Sequence, residues 1–528
     1  MGARQMDGQG GTATGSSALQ SDLTLTVGPV AHGGHCVARH EGRVVFVRHA
    51  IPGEVVRVRL TGHDDDAAHF WRADVTEVLE ASPDRVPHFW PEADALAAAA
   101  QGTLPVGGAE FGHISREAQR RLKAAVLTEQ LQRLAKLEPG ELATVPDGAG
   151  TIGADPIAVE DIAVEDVDAD GTAEQAAGLG WRTRAGFAVT GGGIAPDGRH
   201  RLGMHAHRST SVVPIREMPL AVEGINALRL WEMDLEGIVR VEVAAPANGS
   251  APLVLLAADP VLSPKSTGQV LKRVSAQLAR VAERADGREN ASHPGNPAHL
   301  DRVSGQATSS HPGNPVSVAG WDPESGVLTQ LRGRGWVRES GAGHEFRVTG
   351  DGFWQIHRRA PEVLTAAALG FLTAGGYLDQ GGAVADLYAG AGLFTAPLAD
   401  AVGPTGTVLS VEGSPGTSRD ARKNLHAFSQ VEIQRGRVER VLGAQRRAFD
   451  AIVLDPPRAG AGKTVVRQLI DTRPRAIAYV SCDPASFARD LGYFRRAGWE
   501  LAGLRAFDLY PHTHHLETVA LLVPGSRY

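Results

Sequence analysis

Cysteine is almost missing from this chain of 528 residues: Cys36 and Cys482 are the only two. That excludes a disulfide framework and points to a reducing compartment. No apolar run approaches the length of a membrane span, so no membrane partner is expected. Residues 1–20 are rich in Gly, Ser and Thr and lack the apolar core of a secretory signal. They read as a disordered tail, and the protein as cytoplasmic. Between Thr151 and Gly171 there is no Lys or Arg, but there are seven acids: Asp155, Glu160, Asp161, Glu165, Asp166, Asp168 and Asp170. Those seven account for the whole formal net charge of −7, so the rest of the chain balances.

Apolar residues make up 42% of the chain and charged residues 21%, as in ordinary globular proteins. The length predicts about two to four domains. The 63 glycines and 31 prolines predict long loops. Basic residues cluster at Arg116, Arg120, Arg121 and Lys123, and again at Arg435, Arg437, Arg440, Arg446 and Arg447. These clusters allow a patchy basic groove for nucleic acid, or serve as solvated helix faces.

Residues 21–80 alternate in period two at Leu23–Val27, Arg43–Val47 and Glu54–Leu60, with Gly33-Gly34 and Glu41-Gly42 as turns. This predicts a barrel of about five strands. Arg116 to Leu137 reads as an amphipathic helix with Ala118, Leu122, Ala125, Val126, Leu131 and Leu134 on one face. The acidic stretch 151–171 and the Pro/Gly/His-rich stretch 284–316 read as disordered inserts in a central domain, 81–355. His293 and His311, in the second insert, read as solvated loop residues. Strand-like runs recur at Phe187–Val189, Ser211–Pro214, Val239–Val243 and Leu253–Leu256. From 356 to 528 short apolar runs alternate with helical patterns: Val384–Tyr388, Val408–Val411, Ala451–Leu454 and Ile477–Val480. That is an α/β, Rossmann-like doubly wound sheet, which binds ligands outside the carboxyl ends of its strands.

Chemistry-bearing residues sit at those strand ends. Asp386-Leu387-Tyr388-Ala389-Gly390-Ala391-Gly392 is a glycine loop, but Thr395 stands where a dinucleotide loop needs a third glycine. Glu412 ends the next run, where an acid binds ribose hydroxyls. Asp455-Pro456-Pro457-Arg458 forms a rigid polar turn. Ile477 to Ser481 runs straight into Cys482, after which Asp483 caps a helix and Pro484 takes its first position. A thiol beside a helix N-terminus is expected to have a lowered pKa. The bland alternative is a small buried thiol. His512, His514, His515 and Glu517 precede a last apolar run and suggest a polar rim rather than zinc.

The turn at Asp455–Arg458, Ser481-Cys482-Asp483-Pro484, the glycine loop and His514–Leu522 together resemble the S-adenosylmethionine-dependent RNA uracil-5 methyltransferase family. Phe353-Trp354-Gln355-Ile356-His357 resembles that family's Phe-Phe-Gln-Val-Asn stretch. Gly28, Gly33, Gly34, Val37, Ala38 and Gly42–Val47 resemble the TRAM domain, an OB-like RNA-binding barrel. The resemblance implies methyl transfer to carbon 5 of a uridine in structured RNA, with 23S rRNA favoured because the barrel is present and tRNA possible. It implies Cys482 as nucleophile and Glu517 as base. It implies S-adenosylmethionine held by Gln355, Tyr388, Gly390, Gly392, Glu412 and Asp455, and a uracil pocket of Gln355, Asp455 and Arg458. A monomer is expected. Many relatives hold an iron–sulfur cluster on four cysteines; the corresponding positions are Ala100, Val106, Ala109 and Met218, so no cluster is expected. Two other readings stay open: an amino-group methyltransferase, which would need neither Cys482 nor Glu517, and a catalytically inactive RNA-binding or ribosome-assembly factor.

Overall fold

The computed structural model describes residues 22–61, 70–138, 142–143, 157–158, 163–191, 198–206, 209–291 and 316–525. The expected tail, His293 and His311, part of the first expected insert and most of the second lie outside the described residues. Among the described residues no helix is long and apolar enough to cross a membrane.

Strands β1 (Leu23–Thr26), β2 (Cys36–His40), β3 (Arg43–Arg48), β4 (Val55–Leu60) and β5 (Phe70–Glu80) form one curled sheet in the order β1-β4-β5-β3-β2. The chain after β1 closes it: Gly28 N donates to Val37 O at 2.8 Å and Val37 N to Pro29 O at 2.9 Å. A Cβ at Gly28 would stand 2.6 Å from Val37 O, so this closure demands glycine. Glu41 and Gly42 both take positive φ and make the tight β2–β3 turn. Alternate residues fill the interior, among them Val45, Val47, Val56 and Val58, and Phe111, Ile114 and Ala118 pack against them.

The chain then forms α1 (Ala95–Ala100) and α2 (Arg116–Gln130), which ends in a wider π-type turn over Leu131–Ala135. Three short strands follow: β6 (Leu142–Ala143), β7 (Ile157–Ala158) and β8 (Val164–Glu165). The central sheet runs in the order β11-β10-β9-β12-β13-β14-β15. Its strands are β9 (Arg184–Val189), β10 (Leu202–His205), β11 (Val212–Pro214), β12 (Ile238–Ala244), β13 (Leu253–Ala258), β14 (Ser317–Trp321) and β15 (Leu328–Arg332). Short helices α3 (Ala173–Ala176) and α4 (Glu223–Asn226) flank it. The long α5 (Pro264–Ala291) packs Leu271, Val274 and Leu278 on it. A hairpin, β16 (Trp336–Gly341) and β17 (His344–Thr349), leads to the last domain.

That domain alternates α6 (Ala360–Ala374), β18 (Ala383–Leu387), α7 (Thr395–Val402), β19 (Thr407–Glu412), α8 (Pro415–Asn424), β20 (Val431–Arg435), α9 (Val438–Ala444), β21 (Ala451–Leu454), α10 (Gly462–Asp471), β22 (Ala476–Ser481) and α11 (Pro484–Arg496). It ends with β23 (Trp499–Phe507) and β24 (Glu517–Pro524). The sheet order is β20-β19-β18-β21-β22-β24-β23-β8, with β24 antiparallel to both neighbours. β21 and β22 are buried along their whole length because helices cover both faces.

Four expectations need correction. The stretch 151–171 is not wholly a disordered insert: β8 extends the catalytic sheet beside β23, and Asp168 is buried. The stretch 284–316 begins in helix, since α5 continues to Ala291. The boundary at 356 does not separate the cores, because Leu127, Leu131 and Val164 pack with the catalytic sheet. The buried face of α2 carries Gln119, Lys123 and Leu127, and Ala125 is exposed. Polar residues turn inward there because their bonding partners lie inside. Arg116 and Lys123 pair with Asp508, Arg120 with Asp166 and Arg121 with Asp84, so the first basic cluster is neutralised internally.

Candidate active site

The strand ends converge as a doubly wound sheet requires. β22 stops at Ser481, and Asp483 accepts from Ser486 N at 2.7 Å, capping α11 with Pro484 in its first turn. Cys482 is therefore fixed between a strand end and a helix start, half-buried. Ser481 faces Thr518 across the antiparallel pair, so the next position along sets Cys482 against Glu517. The expected lowering of the thiol pKa is not what the structure gives. Burial, then the carboxylates of Glu517 and Asp455, push the Cys482 thiol up to about 12, and Arg458 offsets only part of it. The resting group is a thiol.

Glu517 is buried at the start of β24. Tyr510 donates its hydroxyl to Glu517 Oε1 at 2.8 Å, while Oε2 has no hydrogen-bond partner among the described residues. Burial and the nearby Asp455 carboxylate raise Glu517 well above the usual carboxylate range. Asp455 is raised by burial too, and accepts from Gln355 Nε2 at 3.1 Å. Gln355, Asp455, Cys482 and Glu517 thus gather at one crevice. Arg458 reaches its rim, 3.5 Å from His515 Nε2.

The glycine loop lies on the other side. Tyr388, Gly390 and Gly392 all take positive φ, of 64°, 56° and 100°. Gly390 N donates to Glu412 Oε2 at 2.9 Å, tying the loop to the end of β19. A cavity of about 580 Å³ opens here between Tyr388, Glu412, Gly436, Val438 and Pro457. Thr395 hydrogen-bonds Asp386 and Ser410 instead of leaving room for a phosphate. Asp386 Oδ1 is buried with no hydrogen-bond partner among the described residues, and burial raises its carboxyl to about 7. An open glycine loop, an acid at the second strand end and an unsatisfied buried acceptor suit an amino-acid nucleoside such as S-adenosylmethionine better than a dinucleotide.

Sequence reasoning missed several residues that hold this site. Tyr510 had no local signal. His357 Nε2 lies 3.1 Å from Asp168 Oδ2, Arg358 Nη2 donates to Oδ1 at 2.6 Å, and Trp181 stacks on His357. This anchors the turn that presents Gln355. On α2, Lys123 Nζ donates to Asp508 Oδ1 at 2.6 Å and to Tyr510 O at 3.0 Å, and Gln119 binds His512. The loop 508–516 that delivers Tyr510 and Glu517 is thereby clamped from below. Val106, Ala109 and Met218 pack in one apolar core with Trp90, so the positions that would hold a cluster offer no thiolate and do not fit one.

A Rossmann-type sheet carrying these residues, behind a small curled barrel, defines an RNA-modifying methyltransferase. The profile of the tRNA (uracil-5-)-methyltransferase family matches residues 377–524, and that of the TRAM domain matches residues 21–68. An uncharacterized RNA methyltransferase of Streptomyces avermitilis is 39% identical over 513 residues, 96% of this chain and 100% of the relative. The chain belongs to this family of RNA uracil-5 methyltransferases. The 23S rRNA (uracil(1939)-C(5))-methyltransferase of Shewanella halifaxensis is 25% identical over 96% of each chain. Among solved structures, the Pyrococcus abyssi tRNA (uracil-54, C5)-methyltransferase in complex with S-adenosyl-L-homocysteine shares the fold. Its TM-score is 0.58 at 18% identity, covering 94% of this chain and 99% of that one.

Proposed function

We propose that the protein transfers a methyl group from S-adenosylmethionine to carbon 5 of a uridine in structured RNA, 23S rRNA being the favoured substrate, through a covalent adduct on Cys482. The observation that supports this reading is the pairing of β22 with β24 up to Ser481 and Thr518, with the next residues, Cys482 and Glu517, in electrostatic reach of each other and of Asp455.

Carbon 5 of uracil is a poor nucleophile until something adds to carbon 6. Cys482 Sγ forms that bond, and the ring's electron pair moves to carbon 5 as an enolate. Because burial keeps the thiol protonated, its proton must pass to solvent as the substrate arrives, so that Glu517 is ionised and free for the later proton transfer. Gln355 and Asp455 hold the uracil edge, and the guanidinium of Arg458 offsets the enolate charge. S-adenosylmethionine, held by Tyr388, Gly390, Gly392 and Glu412, supplies the electrophilic methyl group. Glu517 Oε2, the free oxygen, then takes the carbon-5 proton; the carbon–sulfur bond breaks, and Cys482 leaves. A paired base is out of reach of such a crevice, so the uridine enters flipped or single-stranded.

The test uses labelled 23S rRNA and tRNA fragments on denaturing gels. Cys482→Ala abolishes both methylation and adduct. Glu517→Gln still methylates, but elimination slows by about 100- to 10,000-fold, so adduct accumulates. Adduct formation by Cys482→Ala, or rapid turnover by Glu517→Gln, refutes the assignment; methylation of tRNA alone refutes the substrate.

A further inference from the structure

The outer wall of the nucleophile's cavity belongs to the barrel. A cavity of about 210 Å³ opens onto Cys482, and His32, Gly33 and Gly34 from the β1–β2 loop line it with Asp483 and His514. Two contacts seat that loop. His32 Nε2 lies 2.8 Å from Asp483 Oδ2, a pair 451 positions apart in sequence. Gly34, at φ +78°, comes so close to the His514 side chain that an added Cβ would stand 2.6 Å from it. The barrel is therefore joined to the residue that follows the nucleophile.

We propose that His32 is a positioning residue for Cys482, holding and neutralising Asp483 so that the barrel loop is a working part of the active site. The proposal rests on the reading of Cys482 as nucleophile. Asp483 caps α11 through Ser486 N, and its carboxylate also opposes the formation of a thiolate on its neighbour. Cys482 already faces Glu517 and Asp455, with Arg458 as its counter-charge. A third uncompensated carboxylate would raise the barrier to ionisation further. His32 at 2.8 Å, when protonated, offsets it. His32 in turn faces Asp483 and Glu129, which favour its charged form, while Lys123, Arg458 and His514 share the cavity wall. The hydrogen bond to Asp483 raises the His32 pKa, so the cation persists to higher pH than a free histidine and is lost as pH rises through that raised value.

Alkylation of Cys482 by iodoacetamide, followed by mass spectrometry across pH, tests this without RNA. Cys36 is buried, with its thiol pushed up to about 12, and serves as the internal reference. His32→Ala slows Cys482 alkylation at pH 6.5, where the cation is present, by about two- to five-fold, the range of a half-exposed ion pair, and the gap to wild type closes as pH rises and the cation is lost. His32→Arg, which keeps the cation, restores the rate. In an Asp483→Asn background His32→Ala causes no further loss. Gly34→Ala, which forces the loop off His514, gives the same slowing and guards against a misfolded His32 variant. Equal profiles for wild type and His32→Ala overturn the proposal, as does a loss undiminished in the Asp483→Asn background. The nucleophile reading fails separately, by an adduct between Cys482→Ala and RNA containing 5-fluorouridine.

Discussion

Asp168→Ala removes one carboxylate that serves several cations. Its side chain is 1% exposed, binds His357 at 3.1 Å and Arg358 at 2.6 Å, and lies 3.8 Å from Arg359. Truncation leaves the Arg358 charge without its buried counter-ion, which typically costs about 3–5 kcal/mol. At about 2–4 °C per kcal/mol, the melting transition should fall by roughly 6–20 °C. Burial opposes ionisation of Asp168, but the His357 hydrogen bond and the Arg358 charge outweigh it and hold the carboxyl below its usual range. Its folded pKa is depressed, so its stabilisation is complete at neutral pH, present above the unfolded value, and lost as pH falls through the folded value. The difference between wild type and variant should therefore shrink on acidification. Calorimetry at pH 7 and in acid measures both. A variant that melts within 1 °C of wild type at pH 7 would show that this cluster is solvated and that 163–171 is dispensable after all.

Tyr510→Phe removes the hydrogen bond that favours ionised Glu517. The acid limb of adduct breakdown should move to higher pH, with KM for RNA unchanged; an unmoved limb in single-turnover kinetics refutes the role. Gly392→Ala puts a Cβ 3.0 Å from Leu425 at φ +100°, a strain of about 1–3 kcal/mol. Calorimetric titration should show S-adenosylmethionine affinity falling about five-fold or more, with the fold intact. Chelation of metal should leave methylation unchanged in a filtered assay, and stoichiometric iron and sulfide in active protein would contradict the donor set at Val106, Ala109 and Met218.

The local code carried much of this molecule. Val384, Val408, Ala451 and Ile477 open mostly apolar runs because their strands are covered on both faces, and Asp483-Pro484 states a helix start outright. β20 escaped because Glu432 and Gln434 interrupt an edge strand, and β23 because Gly503 sits at a register shift. What no window of sequence contains is a partner hundreds of residues away. Lys123 reads as helix surface until Asp508 is placed beneath it, and Asp168 as one more acid in a charged run until His357 and Arg358 meet it. Cys482 was found by its motif, but its protonation was misjudged because the helix dipole is local and the two opposing carboxylates arrive from other strands.

The pairing of β8 with β23 also sets a timetable for synthesis. Arg505 binds Glu165 across 340 positions, so β8 leaves the ribosome long before the strand it joins exists. At about 5–20 residues per second, that gap lasts roughly 20–70 s. For most of it Val164, Leu127 and Leu131, which end in the core of the catalytic domain, lack the strands and the helix α11 that share this core. The barrel can mature early, but the enzyme assembles only when the last strands emerge. A nascent chain stalled before β23 should thus expose an apolar flank to chaperones and proteases, so premature termination yields no half-working product.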